Sequence, residues 1–132
     1  MIVDLHAHSK KKGIFMYGSQ NRNNPYLCRQ IPFLLWKNIG EFNYYQCNFS
    51  MRLGREGTSR LFLYQELGLN YCYTMEHSFC GPSRERIHFT SRDYNKFGVN
   101  FLLTLNKYFY CLRKKNNFNE EDEYFKGLYT NK

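Results

Sequence analysis

The pattern of apolar and polar residues along the chain predicts two kinds of element. Short apolar or alternating stretches are typical of strands, and longer segments with apolar residues at helical spacing are typical of helices. The apolar run Ile2–His6 and the segment Gly13–Tyr17 predict two short buried strands. Asn70–Met75 is aromatic and β-branched, which predicts a strand that ends at the charged Glu76. Phe42–Met51 mixes aromatic and polar residues in near alternation and predicts a further strand.

Three segments predict helices. Pro32–Lys37 has proline at an early helical position, and Arg55–Leu67 has apolar residues at helical spacing before Gly68. The sequence Thr90-Ser91-Arg92-Asp93 resembles a capping box with Asp in place of Glu. After it, apolar residues recur at helical steps over five turns: Tyr94, Phe97, Phe101, Leu105, Tyr108 and Leu112. Strands that alternate with helices, and a long helix last, predict an α/β layered fold.

The 132 residues suit one modest domain, with residues 114–132 as a charged tail that we expect to be solvated. No apolar run approaches the roughly 18–20 residues that a membrane span needs, and no signal peptide is recognisable at the N-terminus. The five cysteines are odd in number and none has C-x-x-C spacing. These features predict reduced thiols and a cytoplasmic protein.

The chain carries 19 Lys and Arg against 11 Asp and Glu, a formal net charge of +8. Such a charge favours acidic partners, which include nucleic acid, anionic membranes and acidic polypeptides. No RRM-, zinc-finger- or helix-turn-helix-like pattern is present, and the basic run Lys10-Lys11-Lys12 is short. We therefore expect neither a nucleic-acid nor a membrane partner.

Two ionisable residues stand where strands are predicted to end. His6, in D-L-H-A-H-S, suits either a zinc ligand oriented by Asp4 or a hydrogen-bonded structural histidine, and His8 is a second candidate ligand. Glu76 suits either a general base or a glutamate in a structural ion pair. The residues alone leave these alternatives open.

A basic cluster, Arg52, Arg55 and Arg60, lies around Gly54 and Gly57. Arginine binds carboxylates in a bidentate manner, so the cluster suits an anion site, and a solvated loop is the alternative.

D-L-H-x-H-S is similar to the start of PHP-type phosphoesterases, a resemblance that makes His6 and His8 a metal-binding pair. A barrel of that class needs roughly 200–250 residues, and only His77 and His88 follow as further histidines. A second resemblance covers residues 1 to about 112. The segments DLHAHSKKKGIFMYG, IPFLLWKN, REGTSRLFLYQELGLNYCYTMEHSFCG and HFTSRDYNKFGVNFL resemble the C-terminal part of cytosolic carboxypeptidases, zinc metallocarboxypeptidases of the M14 class.

This second resemblance implies a fold, an activity and roles for individual residues. The fold is a partial carboxypeptidase-type mixed β-sheet flanked by helices, the C-terminal half of a catalytic domain over residues 1–113, with a long C-terminal helix. The activity is removal of C-terminal glutamate from polyglutamylated proteins such as tubulin. By position, His6 corresponds to the third zinc ligand, His8 to the peptide-binding cleft and Glu76 to the general base. Arg60 and Arg55 fall where the side-chain pocket is shaped.

The first two zinc ligands of that family come from an H-x-x-E motif, and no histidine of this sequence has Glu three places on. We therefore expect the chain to be a fragment that lacks the upstream part of its catalytic domain and acts only together with it. The alternative is a catalytically inactive remnant or binding module.

Overall fold

The computed structural model describes residues 1–21, 23–51, 58–82 and 88–115. The strands are β1 (Ile2–His8), β2 (Ile14–Tyr17) and β3 (Cys72–Ser78). The helices are α1 (Leu27–Asn38), α2 (Ser59–Leu67) and α3 (Ser91–Lys115), and Tyr44–Gln46 forms a short 3-10 turn. This arrangement confirms the predicted α/β class with a long last helix. Arg55 and the acidic tail lie outside the described residues.

The three strands form one mixed sheet in the order β1-β3-β2. β1 runs parallel to β3, with His6 opposite Glu76, and β2 runs antiparallel to β3, with Phe15 opposite Glu76. Because side chains alternate across a strand, these registers place every second residue of all three strands on the same face of the sheet.

One face of the sheet forms the hydrophobic core against α1 and α3. The sheet contributes residues from β2 and β3, and the helices cover them with aliphatic and aromatic side chains: Ile14, Met16, Tyr73, Met75, Ile31, Leu35, Ile39, Phe97, Leu105 and Tyr108. The buried residues of α3 recur at the predicted helical steps. Burial of this apolar area is the main favourable contribution to folding.

Local sequence signals account for the ends of two helices. At the start of α3, the Asp93 carboxylate accepts a hydrogen bond from the Thr90 backbone N–H at 2.7 Å. The Thr90 hydroxyl in turn accepts a hydrogen bond from the Asp93 N–H at 3.4 Å, which confirms the predicted reciprocal cap. Helix α2 ends at Gly68, whose φ of 63° is a left-handed conformation that glycine adopts without strain.

Helix α1 begins earlier than the predicted start at Pro32, which lies inside it. Proline removes one helical hydrogen bond, yet the turn before it buries Cys28, Gln30 and Ile31. Tertiary packing therefore extends the helix to Leu27 against the local preference of proline.

The predicted strand Phe42–Met51 is wrong. The side-chain oxygen of Asn43 accepts the Tyr45 N–H at 3.1 Å, and that of Asn48 accepts the Ser50 N–H at 2.9 Å. These local bonds compete with strand pairing and turn the backbone. The backbone of the segment pairs with β2 at two isolated bridges, Ile14 with Phe42 and Tyr17 with Asn48.

A buried polar cluster joins α1, α3 and the start of β3. The Gln30 side-chain oxygen accepts hydrogen bonds from the hydroxyls of Tyr108 and Tyr71. The two hydroxyl oxygens lie 3.1 Å apart. Because buried polar groups are costly unless they are paired, this cluster favours one relative placement of the two helices.

His77 follows Glu76 but lies on the core side of the sheet. Its ring meets Phe97 edge-on, with the ring centroids 4.7 Å apart, and lies 5.7 Å from Tyr94. Burial lowers the pKa of His77 below its usual value of 6.5, because the aromatic surroundings disfavour the charged ring.

This shift predicts a pH-dependent stability. The unfolded chain takes up the His77 proton first as the pH falls below about 6.5, so the free energy of unfolding decreases from there to the lower pKa of the folded state. His77→Phe is expected to flatten this slope between pH 7 and 5 in urea unfolding. The matched change at the exposed His88, His88→Phe, is expected to leave it unchanged. An identical slope in wild type and His77→Phe contradicts the assignment.

Candidate functional site

Polar and aromatic residues of all three strands share the face of the sheet opposite the core. The strand registers place alternate residues of each strand on this face. They are Asp4, His6 and His8 of β1, Phe15 and Tyr17 of β2, and Thr74, Glu76 and Ser78 of β3. Helix α2 packs beside β3 and brings Arg60 to the same face, where its guanidinium meets the Tyr17 ring.

His6 and Glu76 are neighbours on this face although seventy residues separate them in sequence. They are direct partners in the parallel register, and adjacent strands lie about 4.8 Å apart. Glu76 is buried, with 8% of its surface exposed, whereas the His6 side chain is 52% exposed. The pair therefore combines an accessible imidazole with a carboxylate largely removed from water.

The sequence placed both residues at strand ends, and the structure places them two residues further inside. β1 continues to His8 and β3 to Ser78. The parallel pairing persists through His8 and Ser78, so it holds these polar positions in strand conformation.

Asp4 orients the His6 ring. The Asp4 carboxylate lies 2.9 Å from His6 Nε2 and also accepts the Ser59 hydroxyl at 3.2 Å. A carboxylate on one ring nitrogen fixes the ring and directs the other nitrogen, Nδ1, away from that contact. This is the orientation that the sequence suggested for Asp4.

His8 is engaged differently. Its Nδ1 accepts hydrogen bonds from the backbone N–H groups of Lys10 at 3.1 Å and Lys11 at 2.9 Å. Its ring meets Phe15 edge-on at 5.4 Å between centroids. Since Nδ1 already accepts two bonds, the neutral ring carries its proton on Nε2, and neither nitrogen is then a ready metal ligand. This arrangement suits a residue that lines a cleft.

Arg60 is buried near the start of α2, with 6% of its surface exposed. Its guanidinium carbon lies 5.6 Å from the centroid of the Tyr17 ring. A charge held in such a place is weakly screened by solvent and attracts anions more strongly than a surface arginine does. Arg52 and Arg55, the other members of the basic cluster, lie outside the described residues.

The metal-binding capacity of this face is partial. Within the described parts of the chain, no three His, Cys, Asp or Glu side chains are grouped so as to hold a metal ion. His6 offers one nitrogen, whereas a catalytic zinc site takes three protein ligands. Burial also raises the pKa of Cys28 to about 11 and of Cys47 to about 12, so these thiols remain protonated. The described residues do not complete a zinc site.

Lys11 and Tyr17 also lie at this face, and the sequence did not indicate either of them as a site residue. The Lys11 ammonium lies 5.0 Å from the centroid of Phe15 and 5.7 Å from that of Tyr17. Alternation along Ile14–Tyr17 could have placed Phe15 and Tyr17 on one face. The position of Lys11 depends on the hydrogen bonds to His8, for which the sequence contains no separate signal.

None of the helices in the described parts of the chain has the length and apolar character that a membrane span requires.

Comparison with known proteins relates this chain to one group of enzymes. No family model matches it. It is 34% identical over 130 residues to cytosolic carboxypeptidase 3 of Bos taurus, an alignment that covers 86% of this chain and 13% of that protein. It is 36% identical over 111 residues to cytosolic carboxypeptidase 2 of Homo sapiens, covering 80% of this chain and 12% of that protein.

A third relative is cytosolic carboxypeptidase 2 of Xenopus tropicalis, 33% identical over 137 residues, with 92% of this chain covered. The chain spans only 12 to 14% of the length of these three relatives. The similarity extends over 80 to 92% of the chain in these three relatives. The chain thus belongs to the cytosolic carboxypeptidase family, as a part of such a protein.

Proposed function

We propose that this chain is the C-terminal part of a zinc-dependent carboxypeptidase that removes C-terminal glutamate from acidic polypeptides such as tubulin tails. Residues 1–113 form the incomplete catalytic domain and residues 114–132 its charged tail. The observation that carries this assignment is the placement of His6 beside Glu76 on the face of the sheet where Arg60 contacts the Tyr17 ring. A cytoplasmic location agrees with the names of the relatives.

His6 is proposed as one zinc ligand, through the ring nitrogen that Asp4 leaves open. The other protein ligands have to come from polypeptide outside this sequence, since none of its histidines belongs to an H-x-x-E motif. Bound zinc supplies Lewis acidity toward a carbonyl oxygen and a water molecule.

Glu76 is proposed as the general base. A carboxylate in a site with little water can take a proton from the attacking water and return it to the leaving amine. Its burial at the centre of the sheet keeps the side chain in one place, and the register holds it beside His6.

Arg60 is proposed to bind the side chain of the terminal glutamate, with Arg55 and His8 as further parts of the binding cleft. A guanidinium binds a carboxylate with two parallel hydrogen bonds, and burial strengthens that pair. The net charge of +8 also favours approach of an acidic chain.

A non-catalytic binding module is the second candidate. The described residues supply one zinc ligand where three are needed, and this observation favours the candidate if the chain acts alone. Such a module would retain the acidic-peptide site around Arg60 without hydrolysis.

To test the catalytic assignment, this chain is produced joined to the polypeptide that supplies the remaining zinc ligands. Glu76→Gln is expected to reduce kcat for a peptide ending in glutamate by about 10²- to 10⁴-fold with little change in KM, because it removes the base. Glu66→Gln, at an exposed position of α2, serves as the matched control. Full activity of Glu76→Gln would exclude the proposed role, and zinc-loaded wild type without hydrolysis would favour the binding module.

The substrate assignment has its own test in the same protein. Arg60→Met is expected to lower kcat/KM about tenfold or more for peptides ending in glutamate and little for those ending in glutamine, because only the former lose a charge-assisted pair. Arg60→Lys should retain part of the preference, and circular dichroism checks that the variants fold. Arg113→Met, at an exposed site on α3, is the control. Equal losses on both peptides contradict a recognition role.

A further inference from the structure

Tyr17 lies near two positive charges that come from different parts of the chain. The Lys11 ammonium is 5.7 Å from the centroid of its ring, and the Arg60 guanidinium carbon is 5.6 Å from it. Lys11 also lies 5.0 Å from the centroid of Phe15, whose ring meets Tyr17 edge-on at 5.5 Å. The aromatic pair thus holds two cations by contact with its rings.

The position of Lys11 is fixed by its backbone. The N–H groups of Lys10 and Lys11 both donate to Nδ1 of His8, which ties the turn after β1 to the strand. Because the His8 ring itself meets Phe15 at 5.4 Å, the same histidine places the turn over the aromatic pair. Lys11 is therefore held at this face by more than its flexible side chain.

The electrostatic fields of the Lys11 and Arg60 charges overlap. They lie within roughly 11 Å of each other, because each is less than 6 Å from the same ring centroid. This upper limit is close to the Debye length of about 8–10 Å, and the burial of Arg60 weakens screening further. Two positive charges so placed favour a ligand that carries two negative groups.

We propose that Lys11 binds the side-chain carboxylate of the acidic residue that precedes the C-terminal one, while Arg60 binds the terminal side chain. Consecutive Cα atoms lie 3.8 Å apart, and two glutamate side chains on such a backbone can reach two cations that lie no more than about 11 Å apart. The face then selects a run of at least two acidic residues rather than a single terminal glutamate. This inference rests on the proposed function and adds a second specificity-determining residue to it.

The test measures peptide binding by the 132-residue chain in NMR titrations, which detect dissociation constants up to the millimolar range. Four short peptides end in Glu-Glu, Gln-Glu, Glu-Gln and Gln-Gln. Lys11→Met is expected to weaken Glu-Glu binding about two- to fivefold, the range of a solvent-accessible ion pair, and to leave Gln-Glu binding unchanged. Lys11→Arg is expected to keep the Glu-Glu preference.

Lys10→Met is the matched control, since Lys10 lies in the same turn and contributes its backbone N–H to the same His8 nitrogen. Equal weakening of Glu-Glu and Gln-Glu by Lys11→Met would overturn the inference. If Arg60→Met still abolishes the preference for terminal Glu over Gln in that case, the proposed substrate class stands without Lys11. If none of the four peptides binds, the inference about Lys11 is overturned, whereas the proposed function is decided by the catalytic test in the joined protein.

Discussion

The parallel pairing of β1 with β3 determines what both faces of the sheet can do. Side chains alternate along a strand, so a slip of one residue in this register would move His6 to the core side. The same slip would bring Leu5 or Ala7 beside Glu76. Every chemical role proposed for this chain depends on the observed register, which joins two segments seventy residues apart in sequence.

The two faces contribute differently to stability. The core face buries aliphatic and aromatic residues against α1 and α3, and the Gln30 cluster ties the two helices together. The opposite face buries Arg60 and Glu76, and removing ionisable groups from water costs free energy. Burial of apolar side chains on the core face therefore supplies the main favourable contribution to folding.

Local signals in the sequence were sufficient to predict helix α3 and strand β3. The stripe of α3 with its Thr90–Asp93 cap, and the β-branched and aromatic run of β3, needed no distant partner. Of the two predictions that were wrong, one was overridden by tertiary packing and the other by local side-chain hydrogen bonds. Packing extends α1 past Pro32, and asparagine side chains turn the backbone of Phe42–Met51.

The candidate site shows the same division. Family resemblance singled out His6, Glu76 and Arg60, but the proximity of His6 to Glu76 requires a strand register that a single sequence does not contain. The sequence did not indicate Lys11 as a site residue, because its placement depends on a backbone hydrogen bond to His8.

The most direct measurement is the pattern of interstrand nuclear Overhauser effects between β1 and β3 in an isotope-labelled sample of the 132-residue chain. The account predicts parallel-strand contacts that pair Asp4 with Thr74, His6 with Glu76 and His8 with Ser78. A pattern displaced by one residue, or none between these strands, would contradict it. His6 would then lie on the other face of the sheet, or away from Glu76.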